Sequence, residues 1–147
     1  MQPTQEPTIE VEQRNPGSSR LLLVDDEPDV AFTFKKGLEA HGFVVDAFND
    51  PVLALSNFKP GVYDLLLLDV RMPQINGFEL YEKFRKLDSN VKACFITAHD
   101  VHYQSLTEIF PASKEMLLSG AKGVLRKPIS IDDFIETVER FRRDGDQ

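Results

Sequence analysis

A chain of 147 residues with a net charge of −7 and a single cysteine is long enough for one domain that buries about two-thirds of its unfolded surface. The acidic balance and the scattering of Lys and Arg argue against a direct nucleic-acid surface, which wants a basic face. One cysteine excludes a disulfide framework and points to a reducing, cytoplasmic setting, and no apolar run has membrane-spanning length or the core of a signal peptide.

Residues 1–19 hold three prolines and many polar side chains, too little apolar surface to offset the entropy of ordering, and predict a disordered arm. Leu21, Leu22, Leu23 and Val24 form a short apolar run that ends in Asp25 and Asp26. Pro28 suits the first turn of a helix, with Val30, Phe34 and Leu38 at helical spacing up to Gly42. Residues 43–48 read as a strand. Asn49, Asp50 and Pro51 cap and open a helix with Ala54, Leu55 and Phe58 as its stripe, stopped by Pro60 and Gly61.

Leu65 to Leu68 are too few for a free helix and lack the alternation of a half-exposed strand. They predict a strand buried on both faces, with Asp69 at its end. Met72 and Pro73 force a turn, and Asn76 and Gly77 are expected to supply left-handed backbone there. Phe78, Tyr81, Phe84 and Leu87 form the next helical stripe, Val91 to Thr97 a fourth strand containing a buried Cys94, and Gly123 to Arg126 a fifth. Ser130 caps a last helix carrying Phe134, Val138 and Phe141. Strands and helices thus alternate five times, which predicts a doubly wound α/β fold with a parallel sheet and helices on both faces.

In a flavodoxin-like sheet of order 2-1-3-4-5, strands one and three are neighbours, and Asp25, Asp26 and Asp69 crowd one crevice. Two unit charges about 5 Å apart repel by about 3 kcal/mol at an effective dielectric near 20, so the cluster calls for a cation. Oxygen-only ligands with room for water suit Mg²⁺. Thr97 and Lys127 end strands four and five at the same edge. A carboxylate nucleophile, a divalent cation, a hydroxyl and a lysine together compose a phosphoryl-transfer site.

Four segments, Leu-Leu-Leu-Val-Asp-Asp-Glu-Pro (21–28), Leu-Leu-Leu-Leu-Asp-Val-Arg-Met-Pro-Gln-Ile-Asn-Gly (65–77), Phe-Ile-Thr-Ala-His (95–99) and Leu-Arg-Lys-Pro-Ile (125–129), resemble the receiver domains of two-component response regulators. The resemblance covers residues 20–142, leaving a short tail at 143–147. It implies a (βα)5 flavodoxin-like fold and a signalling switch, not a turnover enzyme. Asp69 would be the phosphoacceptor, served by a histidine kinase or phosphotransfer protein, with an unidentified protein target downstream. Asp25 and Asp26 would hold Mg²⁺, Asp26 directly, with Asp69 and the backbone carbonyl of Arg71 completing the protein's ligands. Thr97 would bond the phosphoryl oxygens, Lys127 would pair with them, and the peptide between Lys127 and Pro128 would be cis.

Two departures from the family pattern bear on output. Receivers carry an aromatic residue shortly before the lysine, and Val124 stands there instead. The interval from Thr97 to Lys127 is long and contains Pro111, which predicts a split or displaced helix and makes Tyr103, Ile109 and Phe110 the expected partner surface. Among rival readings, a haloacid-dehalogenase-like phosphatase needs an acid where Arg71 stands, and a nucleotide-binding domain needs a glycine-rich phosphate loop. His99 and His102 lack a third ligand for a metal site. A receiver-like binding module that works without phosphorylation is the remaining alternative, and the complete set of site residues speaks against it. No room remains after residue 147 for an output domain, so either the protein acts alone or the sequence is a piece of something longer.

Overall fold

The structure, a computed structural model, describes residues 19–97, 121–126 and 129–145. Strands β1 (Arg20–Val24), β2 (Val44–Phe48), β3 (Leu65–Asp69), β4 (Ala93–Thr97) and β5 (Ala121–Arg126) form one parallel sheet. Its order is β2-β1-β3-β4-β5, as the resemblance implied. Helices α1 (Pro28–Ala40), α2 (Pro51–Asn57), α3 (Gly77–Leu87) and α4 (Ile131–Gly145) are numbered here in chain order among the described elements. Of the arm expected at 1–19 only Ser19 is described, and it is buried, its carbonyl accepting from Val44 N at 2.9 Å. The rest of the arm, the split segment at 98–120 and the peptide between Lys127 and Pro128 lie outside the described residues.

The leucine runs account for the layering. Successive strand side chains point to opposite faces, so Leu66 and Leu68 join Phe78, Tyr81 and Phe84 of α3 in one core. Leu65 and Leu67 join Phe34 of α1 and Phe134 of α4 in the other. The rings of Phe34 and Phe134 stack with centroids 4.1 Å apart and tie those two helices together. Cys94 is fully buried as a small hydrophobe, and burial pushes its thiol well above the usual range.

Three expectations are corrected. Helix α2 ends at Asn57, before Pro60, because Phe58 takes an extended backbone (φ −68°, ψ 138°) that turns its ring into the core against Phe84, with centroids 4.7 Å apart. Leu87 is half exposed, while Leu80, outside the expected stripe, is fully buried. Gly77 does not adopt a left-handed backbone; among the described residues the glycines with positive φ are Gly42 and Gly61, at 92° and 79°. Asn76 instead caps α3 from an extended backbone (φ −81°, ψ 166°), and Gly77 is the helix's first residue.

At the amino ends of the strands, Arg20 of β1 grips Asp46 of β2 with Nη2 3.1 Å from each carboxylate oxygen. The Tyr63 hydroxyl donates to Asp46 Oδ2 at 2.6 Å. Burial, and next the hydrogen bond to Asp46, raise the Tyr63 phenol above its ordinary range. The opposite, carboxyl edge of the sheet is where open α/β folds build sites.

Candidate functional site

Strand register places the acidic residues. Val24 pairs with Leu68, so Asp25 follows β1 beside Asp69, the last residue of β3. Asp25 is held from two sides: its amide N–H donates to Phe48 O at 3.1 Å, and its Oδ1 accepts from Glu27 N at 3.0 Å. Asp25 is fully buried, Asp69 is 5% exposed and Asp26 is partly exposed. One oxygen from each of Asp25, Asp26 and Asp69 lies within 4.8 Å of the other two. At that spacing each charged pair repels by about 3 kcal/mol at an effective dielectric near 20, a cost that a bound cation would offset.

The donor set fits a hard divalent cation. All three side chains offer oxygen, and none of the described residues adds sulfur or imidazole to the cluster. The partly exposed Asp26 opens onto a groove of about 440 Å³ lined also by Val70, Arg71, Met72, Pro73 and Asn76, with room for the waters Mg²⁺ retains. Arg71 is exposed on this groove two residues beyond Asp69.

Thr97 ends β4 one residue beyond Ile96, the register partner of Asp69. It is fully buried, and its Oγ1 has no hydrogen-bond partner among the described residues. Thr97 also pairs with Arg126, the last residue of β5. Lys127 itself, with Tyr103, Ile109 and Phe110, lies outside the described residues. Val124 belongs to β5 opposite Phe95, and its side chain is likewise outside them.

The sequence reading missed the role of the loop that returns to β3. Asn76 Oδ1 accepts from Glu79 N at 2.8 Å while Glu79 Oε1 accepts from Asn76 N at 3.1 Å, a reciprocal capping box. The spacing of Asn76 and Glu79 carries that signal. Nothing in the sequence alone shows that Gly77 lies against the backbone of Asp69.

A doubly wound parallel sheet with three carboxylates gathered at its carboxyl edge, beside a buried threonine, defines a class of acidic-pocket α/β switch proteins. Comparison with known proteins narrows the class. Residues 21–139 match the family model for the response regulator receiver domain, and the chain belongs to that family. It is 34% identical over 123 residues to the transcriptional activator protein IrlR of Burkholderia pseudomallei, covering 84% of this chain and 48% of that protein. It spans about half the length of the curated relatives it matches. Among solved structures it resembles the non-phosphorylated HemR receiver domain of Leptospira biflexa, with TM-score 0.72, 28% identity and coverage of 85% of this chain and 94% of that one. It also resembles the response regulator TrrA of Thermotoga maritima in complex with Mg²⁺ and BeF, with TM-score 0.66, 28% identity and coverage of 84% and 98%. Receiver domains are phosphoacceptor switches that bind Mg²⁺ at an acidic pocket, and this chain has an acidic cluster at Asp25, Asp26 and Asp69.

Proposed function

We propose that this chain accepts a phosphoryl group on Asp69 from a phosphohistidine of a histidine kinase or phosphotransfer protein. The observation that carries the reading is the mutual 4.8 Å clustering of Asp25, Asp26 and Asp69, with Asp69 terminating the central strand. An Asp69 carboxylate oxygen forms the new bond to phosphorus as the P–N bond breaks, and the departing imidazole keeps its electron pair and gains a proton. Asp25 and Asp26 would hold Mg²⁺, Asp26 directly, with Asp69 and the Arg71 carbonyl as further ligands. When bound, the ion offsets the charge that accumulates on the transferred group. Thr97 would donate its hydroxyl to a phosphoryl oxygen, and Lys127 would pair with another. Residues 20–142 form the switch unit in this reading, set in the cytoplasm, with Tyr103, Ile109 and Phe110 as the surface a downstream protein reads.

The test is covalent labelling. Acetyl phosphate with Mg²⁺ is expected to add one acid-labile phosphoryl group per chain, seen by intact mass, and Asp69→Asn is expected to lose it. A mutant that labels as fully as the parent removes Asp69 from the role. A parent that takes no label from acetyl phosphate or from any phosphohistidine donor leaves only a binding module.

A further inference from the structure

The loop after β3 leaves the nucleophile and comes back to touch it. Gly77 N donates to Val70 O at 2.9 Å, closing residues 70–77 into a ring. A Cβ built on Gly77 would stand 2.5 Å from Asp69 O, 3.1 Å from Asp69 C and 3.1 Å from Val70 Cα. All three are backbone atoms, which cannot yield as the end of a side chain can. The same ring carries Arg71, and its far side is locked by the Asn76–Glu79 capping box and by Leu80 N donating to Asn76 O at 3.0 Å. Helix α3 is anchored in turn by Phe78, Leu80, Tyr81 and Phe84, all fully buried. The peptide at Asp69 is therefore pressed between a rigid helix start and the sheet, with no slack on the helix side.

We propose that Gly77 and the Asn76–Glu79 box form a clasp that positions the Asp69 carboxylate and the Arg71 carbonyl relative to Asp25 and Asp26, so that residues that do not themselves hold the ion set the affinity for Mg²⁺. The inference rests on the proposed reading of the site. A methyl group at position 77 must push α3 or the Asp69–Val70 peptide away, and either motion spreads groups that act together on one ion. Supports behind metal ligands change affinity on the order of tenfold to a hundredfold when removed. Gly77 and Asn76 are positioning residues in this scheme.

The experiment measures Mg²⁺ affinity by calorimetry beside thermal stability, with no phosphodonor present. Gly77→Ala is expected to bind Mg²⁺ on the order of tenfold more weakly than the parent. Gly37→Ala is the control, because its Cβ would meet Ile131 Cγ1 at 2.6 Å, between α1 and α4, with no atom of Asp25, Asp26, Asp69 or Arg71 among its nearest neighbours. It is expected to lower the melting temperature with affinity unchanged. Should Gly77→Ala not fold, the Asn76 variants carry the test: Asn76→Ala is expected to weaken binding, while Asn76→Ser, which keeps a capping oxygen, retains it. Unchanged affinity in Gly77→Ala, or in Asn76→Ala, overturns the clasp and leaves the acidic site standing. Equal weakening by Gly37→Ala also overturns it, since affinity would then follow overall stability. A parent that binds no Mg²⁺ overturns both.

Discussion

Thr97 is the residue whose structural and chemical roles separate most cleanly. Its hydroxyl is buried and has no partner among the described residues, so Thr97→Val keeps the shape and removes a desolvated polar group. Such a swap is expected to leave stability unchanged or raise it by about 1 kcal/mol in urea unfolding. A loss larger than that would mean that the hydroxyl is bonded in the resting protein. Cys94 gives a second prediction, about pH. Burial raises its thiol above the ordinary value of 9.0, and burial with Asp46 raises Tyr63 above 10.0. The folded state holds both protons more tightly than the unfolded state, so this stabilisation is complete below pH 9 and is lost as pH rises beyond it. Melting temperature is expected to fall steadily above pH 9, and less steeply in Cys94→Ala relative to its own neutral-pH value. An equal slope in both proteins would count against the thiol. At this scale the gathering of Asp25, Asp26 and Asp69 at one edge was legible because each carboxylate, like Thr97, follows an apolar run. Arg20, Asp46 and Tyr63 gave no such sign; their contact joins residues 26 and 17 positions apart and exists only once the strand register is known.

Elements were readable where one physical cause acts alone. The leucine runs of β1 and β3 have a single explanation, burial on both faces, and both fall where the runs predicted. Helix ends and exposed stripes depend on what the chain meets next, so they were less legible. Phe58 left α2 early to reach Phe84, and Asp88 accepts from Gly61 N at 2.8 Å at the turn where Leu87 is left half exposed. The difference predicts contrasting mutational costs. Phe134→Ala removes a fully buried ring stacked on Phe34 and is expected to cost about 3–5 kcal/mol, while Leu87→Ala, at an exposed helix end, is expected to change stability by no more than about 0.5 kcal/mol. Urea unfolding of the two variants checks the pair. Similar losses for both would contradict the burial assigned to Leu87.

The molecule as a whole is a hydrophobic sheet that presents its least stable chemistry at one edge. Asp25 and Asp69 are nearly inaccessible, and the partly exposed Asp26 meets the groove, so solvent screens the first two poorly and the third in part. Gathering the three carboxylates within 4.8 Å of one another adds a mutual repulsion that the unfolded chain lacks, on top of a net charge of −7. Asp26→Ala relieves two of the three pairwise terms, which solvent at the partly exposed Asp26 cuts toward the aqueous limit of about 1 kcal/mol each. Metal-free Asp26→Ala is expected to melt several degrees above the parent, since about 1 kcal/mol shifts a domain of this size by about 2–4 °C. Mg²⁺ should reverse the order. An ion that binds only the folded parent adds about 2.7 kcal/mol at a hundredfold excess over its dissociation constant, whereas Asp26→Ala lacks the side chain proposed to hold the ion directly and is expected to gain little. Raising ionic strength without Mg²⁺ should narrow the gap from the other side by screening the parent's exposed carboxylate. Melting curves of both proteins, with chelator and then with millimolar Mg²⁺, read out the crossing. If the curves keep the same order in both conditions, the acidic edge is not a metal site and its charges are balanced by the protein itself.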